Sequence, residues 1–179
     1  MSIKYVFYNE NPVLAEPLAY AYKEYKDDVL SYKIYQPKSA NKSFKWINNA
    51  NYSVHQGYTQ LPQTGDLLII TKSLKDVMSL YDVVNISSIG LQSESVTVKD
   101  AVMDEYKSRF KHVICLFDND KAGKSLSVQF AELYNVPYIL IPEMKNVTDF
   151  SDLVKYKGVQ YAKITIKKLI TKTLKNEQI

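Results

Sequence analysis

The chain has 179 residues, which fits one ordinary domain, or one domain with a small partner domain. An apolar fraction of 46% is enough for a hydrophobic core and argues against disorder, and the single cysteine excludes a disulfide framework and a cysteine-based zinc site. Because no long apolar stretch opens the sequence, we expect a cytoplasmic protein with no membrane partner.

The first third of the sequence predicts a small β-rich region. Residues 18–25 and 29–37 alternate apolar or aromatic residues with polar ones, and the short polar segment between them is typical of a hairpin. A third strand is predicted at residues 43–47. The composition changes at "LPQTGD", and we therefore predict an N-terminal subdomain at residues 1–63 and a second domain at 64–179.

Strands and helices alternate after this boundary. Short apolar runs predict strands at residues 67–71, 85–90, 112–117 and 136–141. Helical spacing predicts helices at residues 73–84, 98–110, 122–135, 149–156 and 159–175. This order implies right-handed βαβ units and a parallel four-stranded sheet flanked by helices, in which sites form at the carboxyl ends of the strands.

Acidic residues follow the predicted strands at that edge. Asp118 and Asp120 come directly after a buried strand, and the acids after the other strands are Asp76, Glu94, Asp149 and Asp152. Two or three carboxylates are enough to bind Mg²⁺, or Mn²⁺ in its place, and metal ions at such a site can support phosphoryl transfer. Aspartate is also a common turn and helix-capping residue, so each of these acids has an alternative structural explanation.

Residues 65–157 resemble a Toprim domain, the catalytic core shared by DnaG-type primases, topoisomerases and some nucleases. The resemblance rests on three segments in the family's order, which are "LLIITKSLKDVMSLYD", "LFDNDKAGKS" and "VTDFSD". Two segments before the boundary, "FKWINN" and "HQGYTQLP", resemble elements that precede Toprim in DnaG-type primases. Within the first Toprim segment, "ITKSLKDVMSLY" looks most like primases of bacteriophages.

The resemblance implies a Toprim-like parallel sheet that follows the β-rich subdomain along the chain. It also implies that the chain is the RNA-polymerase core of a DnaG-type primase. It implies metal binding by Asp118, Asp120, Asp149 and Asp152, with Asp76 completing or orienting the site. Residues expected to contact nucleic acid or nucleotide are Lys38, Lys42, Lys45, Trp46, Asn48 and Lys75. The lysines near Trp46 are equally consistent with protection of an exposed strand edge, and Lys75 with a solvent-facing helix position.

Lys72 departs from the family pattern, because it stands where the family has a glutamate. A cation there would repel a metal ion. The site is then inactive, or Lys72 contacts a phosphate, or Glu94 on the neighbouring strand end supplies the missing carboxylate. We favour Lys72 on a phosphate together with Glu94 near the metal.

The implied partners are a single-stranded DNA template and ribonucleoside triphosphates. One cysteine cannot build the zinc-binding module that usually accompanies such a core, so the chain is a fragment, or it relies on a zinc-binding module on another chain, or it initiates differently. A replicative helicase is a further candidate partner. Two alternatives remain at this point, a Toprim-type metal-dependent nuclease and a non-catalytic nucleic-acid-binding module.

Overall fold

The computed structural model describes residues 5–8, 11–48, 54–91 and 97–176. The strands in these ranges are β1 Tyr5–Tyr8, β2 Asn11–Leu14, β3 Tyr20–Lys26, β4 Val29–Tyr35, β5 Trp46–Asn48, β6 Gly65–Thr71, β7 Ser87–Gly90, β8 Phe110–Leu116 and β9 Tyr138–Ile139. The α-helices are α1 Leu74–Val84, α2 Asp100–Arg109, α3 Lys121–Tyr134, α4 Phe150–Lys157 and α5 Val159–Asn176. Within the described ranges, no helix is both long and apolar enough to cross a membrane.

The second part of the chain forms a parallel four-stranded sheet in the order β7-β6-β8-β9, which confirms the predicted fold class. Its strands are apolar because helices cover both faces. Leu68 of β6 packs in a core with residues of α2 and α3, whereas Ile69 points to the opposite face, towards α1, α4 and α5. The last strand pairs over only two residues, so the predicted strand at 136–141 is longer than the observed one.

The N-terminal part contains the antiparallel sheet β3-β4-β5 and a separate β1–β2 hairpin that the sequence pattern did not predict. Asp27 and Asp28 connect β3 to β4, and both have positive φ angles, 47° and 64°. A two-residue turn of this kind matches the twist of the flanking strands, and aspartate tolerates the conformation. The third strand begins at Trp46, later than predicted, because Lys42–Phe44 forms a 3-10 turn capped by Asn41.

A network of hydrogen bonds joins the two parts. The buried carboxylate of Glu24 on β3 accepts from the backbone N–H groups of Gly57, at 2.6 Å, and Thr59, at 2.9 Å. Gln56 and Gly90 exchange backbone hydrogen bonds, so the segment before the predicted boundary lies against the edge of β7. The division at residue 63 stays a prediction.

Candidate metal centre

The first turn of α1 places Asp76 at the carboxyl end of β6. Ser73 caps the helix by accepting from the Asp76 N–H, and its hydroxyl donates to Asp76 Oδ2 at 2.8 Å. The Ser73 side chain thus satisfies the free N–H of Asp76 at the start of the helix and also holds the Asp76 carboxylate. The second carboxylate oxygen accepts from the Ser151 N–H at 3.0 Å, so Asp76 is held from two helices while being only 3% exposed.

Asp118 follows β8, and two close contacts fix the backbone around it. A Cβ on Gly123 would overlap the carbonyl oxygen of Asp118, so glycine is required where α3 passes behind the strand end. The neighbouring Asn119 is buried, and its amide donates to the Ile141 carbonyl at 3.1 Å, while its backbone N–H donates to the Thr148 carbonyl at 2.8 Å. These bonds bring the loop that leads to α4 alongside Asp118.

Asp149 caps α4 and reaches the same edge of the sheet. Its Oδ1 accepts from the Asp152 N–H at 2.7 Å and from the Ser151 hydroxyl at 2.8 Å. Its other oxygen accepts from Lys75 Nζ at 2.7 Å, which links α4 to α1. The residue therefore combines a structural capping role with a carboxylate that faces α1.

These three residues, Asp76, Asp118 and Asp149, form what we call the carboxylate cluster. One oxygen from each lies within 4.8 Å of the other two. Burial and the charge of Asp149 raise the pKa of Asp76, and burial with the charges of Asp149 and Asp120 raises the pKa of Asp118. Burial and neighbouring carboxylates thus disfavour ionisation of Asp76 and Asp118, whereas the donors around Asp149, above all Lys75, outweigh its burial and lower its pKa.

The cluster has the chemistry of a divalent-cation site. Its ligands are carboxylate oxygens, which Mg²⁺ and Mn²⁺ prefer, and they come from three separate segments of the chain. Two cations of the chain lie beside it. Lys75 bonds to Asp149, and Lys72 Nζ lies 5.3 Å from the centroid of the Phe117 ring, where its charge opposes but does not reverse the rise in the pKa of Asp118. The residues present therefore fit a divalent metal.

Two of the other predicted acids, Asp120 and Asp152, are not members of the cluster. Asp120 is exposed and caps α3, accepting from the Gly123 N–H at 2.7 Å, while Asp152 accepts from the Thr148 hydroxyl at 2.8 Å. Both contacts are the capping and turn roles that aspartate commonly takes. Glu94 lies outside the described residues, so its predicted role stays a prediction.

The predicted nucleic-acid contacts lie mostly around the β4–β5 connection. Lys38, Lys42, Lys45 and Trp46 are exposed, and Asn48 ends β5. The sequence argument did not single out Tyr20 and Tyr35, whose rings stack in one row with Trp46. The positions of both tyrosines relative to Trp46 follow from the register of the paired strands.

Comparison with known proteins agrees with this architecture. Residues 69–154 match the Toprim-like family, whereas none of the curated proteins compared with the sequence matches it. The chain is similar to a structure of the bacteriophage T7 lagging-strand DNA polymerase interacting with primase domains bound to an RNA/DNA hybrid and dTTP. That match has 12% identity and a TM-score of 0.63, and it covers 83% of this chain and 76% of the other.

Two DnaG structures are also similar. The RNA polymerase domain of Mycobacterium tuberculosis DnaG has 13% identity and a TM-score of 0.64, with 91% of this chain and 59% of that chain covered. A DnaG primase catalytic domain bound to single-stranded DNA has 16% identity and a TM-score of 0.65, with 92% and 56% covered. The chain therefore spans less than two thirds of either DnaG chain. Residues 69–154 are a Toprim-like domain, and the chain has the fold of the catalytic cores of DnaG-type and bacteriophage T7 primases.

Proposed function

We propose that this chain is the RNA-polymerase core of a DnaG-type DNA primase, a nucleotidyltransferase that makes RNA primers on single-stranded DNA during DNA replication. The observation that carries the proposal is the convergence of Asp76, Asp118 and Asp149 at the carboxyl edge of a parallel sheet. That sheet belongs to a fold shared with primase catalytic cores. A bacteriophage origin is part of the proposal and rests on the resemblance of the α1 segment.

The reaction joins a nucleotide to a strand end. The 3′-hydroxyl oxygen of the growing RNA bonds to the α-phosphorus of a ribonucleoside triphosphate, the α–β phosphoanhydride bond breaks, pyrophosphate leaves, and the hydroxyl proton passes to solvent. Asp118, Asp149 and Asp76 would hold Mg²⁺ or Mn²⁺, which supplies electrostatic stabilisation of the phosphate charge when bound. The backbone bonds of Asn119 and the capping bonds of Asp76 keep these carboxylates in place, so that little reorganisation is needed.

Lys72 would contact a nucleotide or template phosphate from beside Asp118, as a point charge on a flexible stem. Lys75 would lend positive charge to the same edge while it bonds to Asp149. We keep Glu94 as a candidate carboxylate near the metal, and Asp120 and Asp152 as candidate ligands in the loaded site. The division at residue 63 would separate a template-guiding subdomain from the catalytic domain.

The proposed partners follow the same reasoning. Single-stranded DNA and ribonucleoside triphosphates are the substrates of the reaction, and a similar DnaG domain has been seen bound to single-stranded DNA. A zinc-binding module and a replicative helicase on other chains would help to recognise and deliver the template. The net charge of +4 favours a polyanionic partner.

The test is incubation of the protein with single-stranded DNA, the four ribonucleoside triphosphates and either Mg²⁺ or Mn²⁺, with products separated on a denaturing gel. Oligoribonucleotides that appear only with template and metal support the proposal. Shortened DNA would identify a nuclease, and binding without any product would identify a non-catalytic module, so both outcomes would overturn it.

The role of the carboxylate cluster is tested by comparing the substitution of one of its members with the same substitution at the protein surface. We expect Asp118→Asn to lower primer synthesis roughly 100-fold or more, because it removes a carboxylate ligand of the metal ion that would stabilise the phosphate charge. Asp82→Asn, at an exposed position near the end of α1, removes the same charge from the surface and should leave the rate unchanged. Equal rates for the two variants would contradict the assignment of Asp118.

A further inference from the structure

A row of aromatic rings crosses one face of the N-terminal sheet. Tyr20, Tyr35 and Trp46 are directly paired across β3, β4 and β5, so their side chains share a face. The Tyr20 and Tyr35 ring centroids are 6.5 Å apart with an interplanar angle of 25°, and those of Tyr35 and Trp46 are 4.2 Å apart at 18°. We call these three residues the aromatic row.

The row is open at both ends. Tyr20 is 47% exposed and Trp46 is 45% exposed, and they lie on the two edge strands of the sheet. Exposed aromatic side chains of this size are unfavourable in water unless another flat apolar surface covers them. A planar group added at either end would continue the stack.

The charge around the row favours a polyanion. The segment from Val29 to Asn48 contains four lysines, Lys33, Lys38, Lys42 and Lys45, and no acidic residue. Lys33 Nζ lies 4.7 Å from the centroid of the Trp46 ring, and the other three lysines are exposed. Rings interleaved with cations are the combination that binds bases and phosphates of a single strand together.

The row also leads towards the carboxylate cluster. Tyr22 follows Tyr20 by two residues on β3 and lies on the same face. It lines a groove of about 290 Å³ with Leu74 and Met78 of α1, the helix whose first turn carries Asp76. A strand lying along this face would therefore reach α1 at the side of the proposed catalytic centre.

We propose that the aromatic row binds unpaired bases of single-stranded nucleic acid by stacking, while the nearby lysines contact its phosphates. Bases within a duplex are already stacked and paired, so the row selects a single strand. The inference that the aromatic row holds the template rests on the proposed function. Binding of a single strand to the row can be measured without any catalysis.

Trp46 allows a direct test, because it is the only tryptophan of the chain. Titration with a twelve-residue oligothymidylate should quench the intrinsic tryptophan fluorescence in a saturable way. An oligonucleotide of the same length made of abasic sites carries the phosphates alone. We expect it to bind the unaltered protein roughly 5- to 100-fold more weakly, the range that loss of one stacked base would give.

Substitutions provide the second measurement. Trp46→Ala and, at the other end of the row, Tyr20→Ala should each weaken oligothymidylate binding, measured by fluorescence anisotropy of a labelled strand. Tyr161→Ala removes an equally large tyrosine, 49% exposed on α5, and should leave binding unchanged. The abasic comparison uses the unaltered protein, so it decides the question even if Trp46→Ala does not fold.

The outcomes separate this inference from the proposed function. Quenching and base-dependent binding without primer synthesis would support the row and overturn the primase assignment. Primer synthesis combined with equal affinity for the abasic strand, no quenching, and unchanged binding by Tyr20→Ala would overturn the row and leave the primase assignment in place.

Discussion

Carboxylates are partly or fully buried in two regions of this protein, and the two regions treat their charge in opposite ways. At the junction between the sheets, Glu105 of α2 accepts hydrogen bonds from Tyr58 at 2.6 Å, Arg109 at 2.8 Å and Lys26. Burial alone would raise the pKa of Glu105, but these donors outweigh it and the pKa is lowered. In the carboxylate cluster, by contrast, the pKa values of Asp76 and Asp118 are raised, and only that of Asp149, which bonds to Lys75, is lowered.

The difference lies in what surrounds each carboxylate. Glu105 is matched by two cations and a hydroxyl within the protein, so its ionised form stabilises the fold. The cluster brings three carboxylates within 4.8 Å of one another, and only Lys75 among the described contacts forms an ion pair with one of them. The charge of Glu105 is thus balanced within the protein, whereas the cluster gains from an added cation. The predictions below test this contrast, from the largest expected effect to the smallest.

Removing the centre of the junction should have the largest effect. Glu105→Ala leaves Lys26, Arg109 and the Tyr58 hydroxyl without their shared partner, and both cations are mostly buried, with side chains 15% and 14% exposed. We expect the free energy of unfolding to fall by about 3 kcal/mol, as when one partner of a buried ion pair is deleted. Urea unfolding measures the change.

The control for this prediction is Glu132→Ala, which removes an exposed glutamate from α3 and should change the unfolding free energy by less than about 0.5 kcal/mol. If Glu105→Ala lowered the free energy of unfolding no more than Glu132→Ala does, the junction would be held by packing alone.

Acid should weaken the junction through His55. This side chain is 3% exposed, and Nδ1 lies 2.7 Å from the Tyr106 hydroxyl. Burial, helped by Lys26 and opposed by Glu105, lowers the pKa of His55 from 6.5 to about 4. The unfolded chain therefore takes up a proton that the folded chain rejects, so stability is lost as the pH falls below about 6.5.

Between pH 7 and pH 5.5 this group should account for about 1 kcal/mol of lost unfolding free energy. Denaturant unfolding at the two pH values measures it, and His55→Gln, which cannot take up a proton, should show a correspondingly shallower dependence. An identical dependence in the variant would show that other groups cause the loss.

Neutralising one member of the cluster should slightly stabilise the fold. In metal-free buffer at pH 8, we expect Asp76→Asn to raise the free energy of unfolding by about 0.5 to 1 kcal/mol, because it removes a buried charge and relieves its repulsion from Asp149. Asparagine keeps an oxygen to accept from the Ser151 N–H and a group that can bond to the Ser73 hydroxyl. Thermal and urea unfolding both report this change.

Asp82→Asn again serves as the control, since this exposed acid is not a member of the cluster and its replacement should have little effect. Destabilisation by Asp76→Asn would mean that its hydrogen bonds outweigh the repulsion, and the contrast between the two regions would then disappear.

The spacing of apolar residues predicted most strands and helices of the second domain, because that spacing differs between an apolar strand such as β6 and the helix that follows it. It failed where pairing between distant segments decides the structure. Strand β9 pairs over two residues only. The third strand begins at Trp46 rather than Ser43, because the 3-10 turn capped by Asn41 uses the preceding residues. The β1–β2 hairpin was missed, as it lies in a segment with little alternation.

The sequence named residues of the candidate site but did not predict the contacts between them. Asp118 was recognised by its position after a strand, and Asp76 and Asp149 by the resemblance and the order of elements. Their association with one another, and the capping contacts of Asp120 and Asp152, depend on how α1, α3 and α4 meet at one edge. No local pattern contains that information.

The sequence alone determined the alternation of strands and helices, because apolar periodicity and helix caps are local properties that burial and backbone hydrogen bonding enforce. It also determined which acids follow which strands. Only the tertiary structure decided which of those charges come within a few ångströms, which are matched by cations, and which rings stack across strands. Electrostatic repulsion and stacking act over short distances in space, so their outcome depends on the packing of segments that are far apart along the chain.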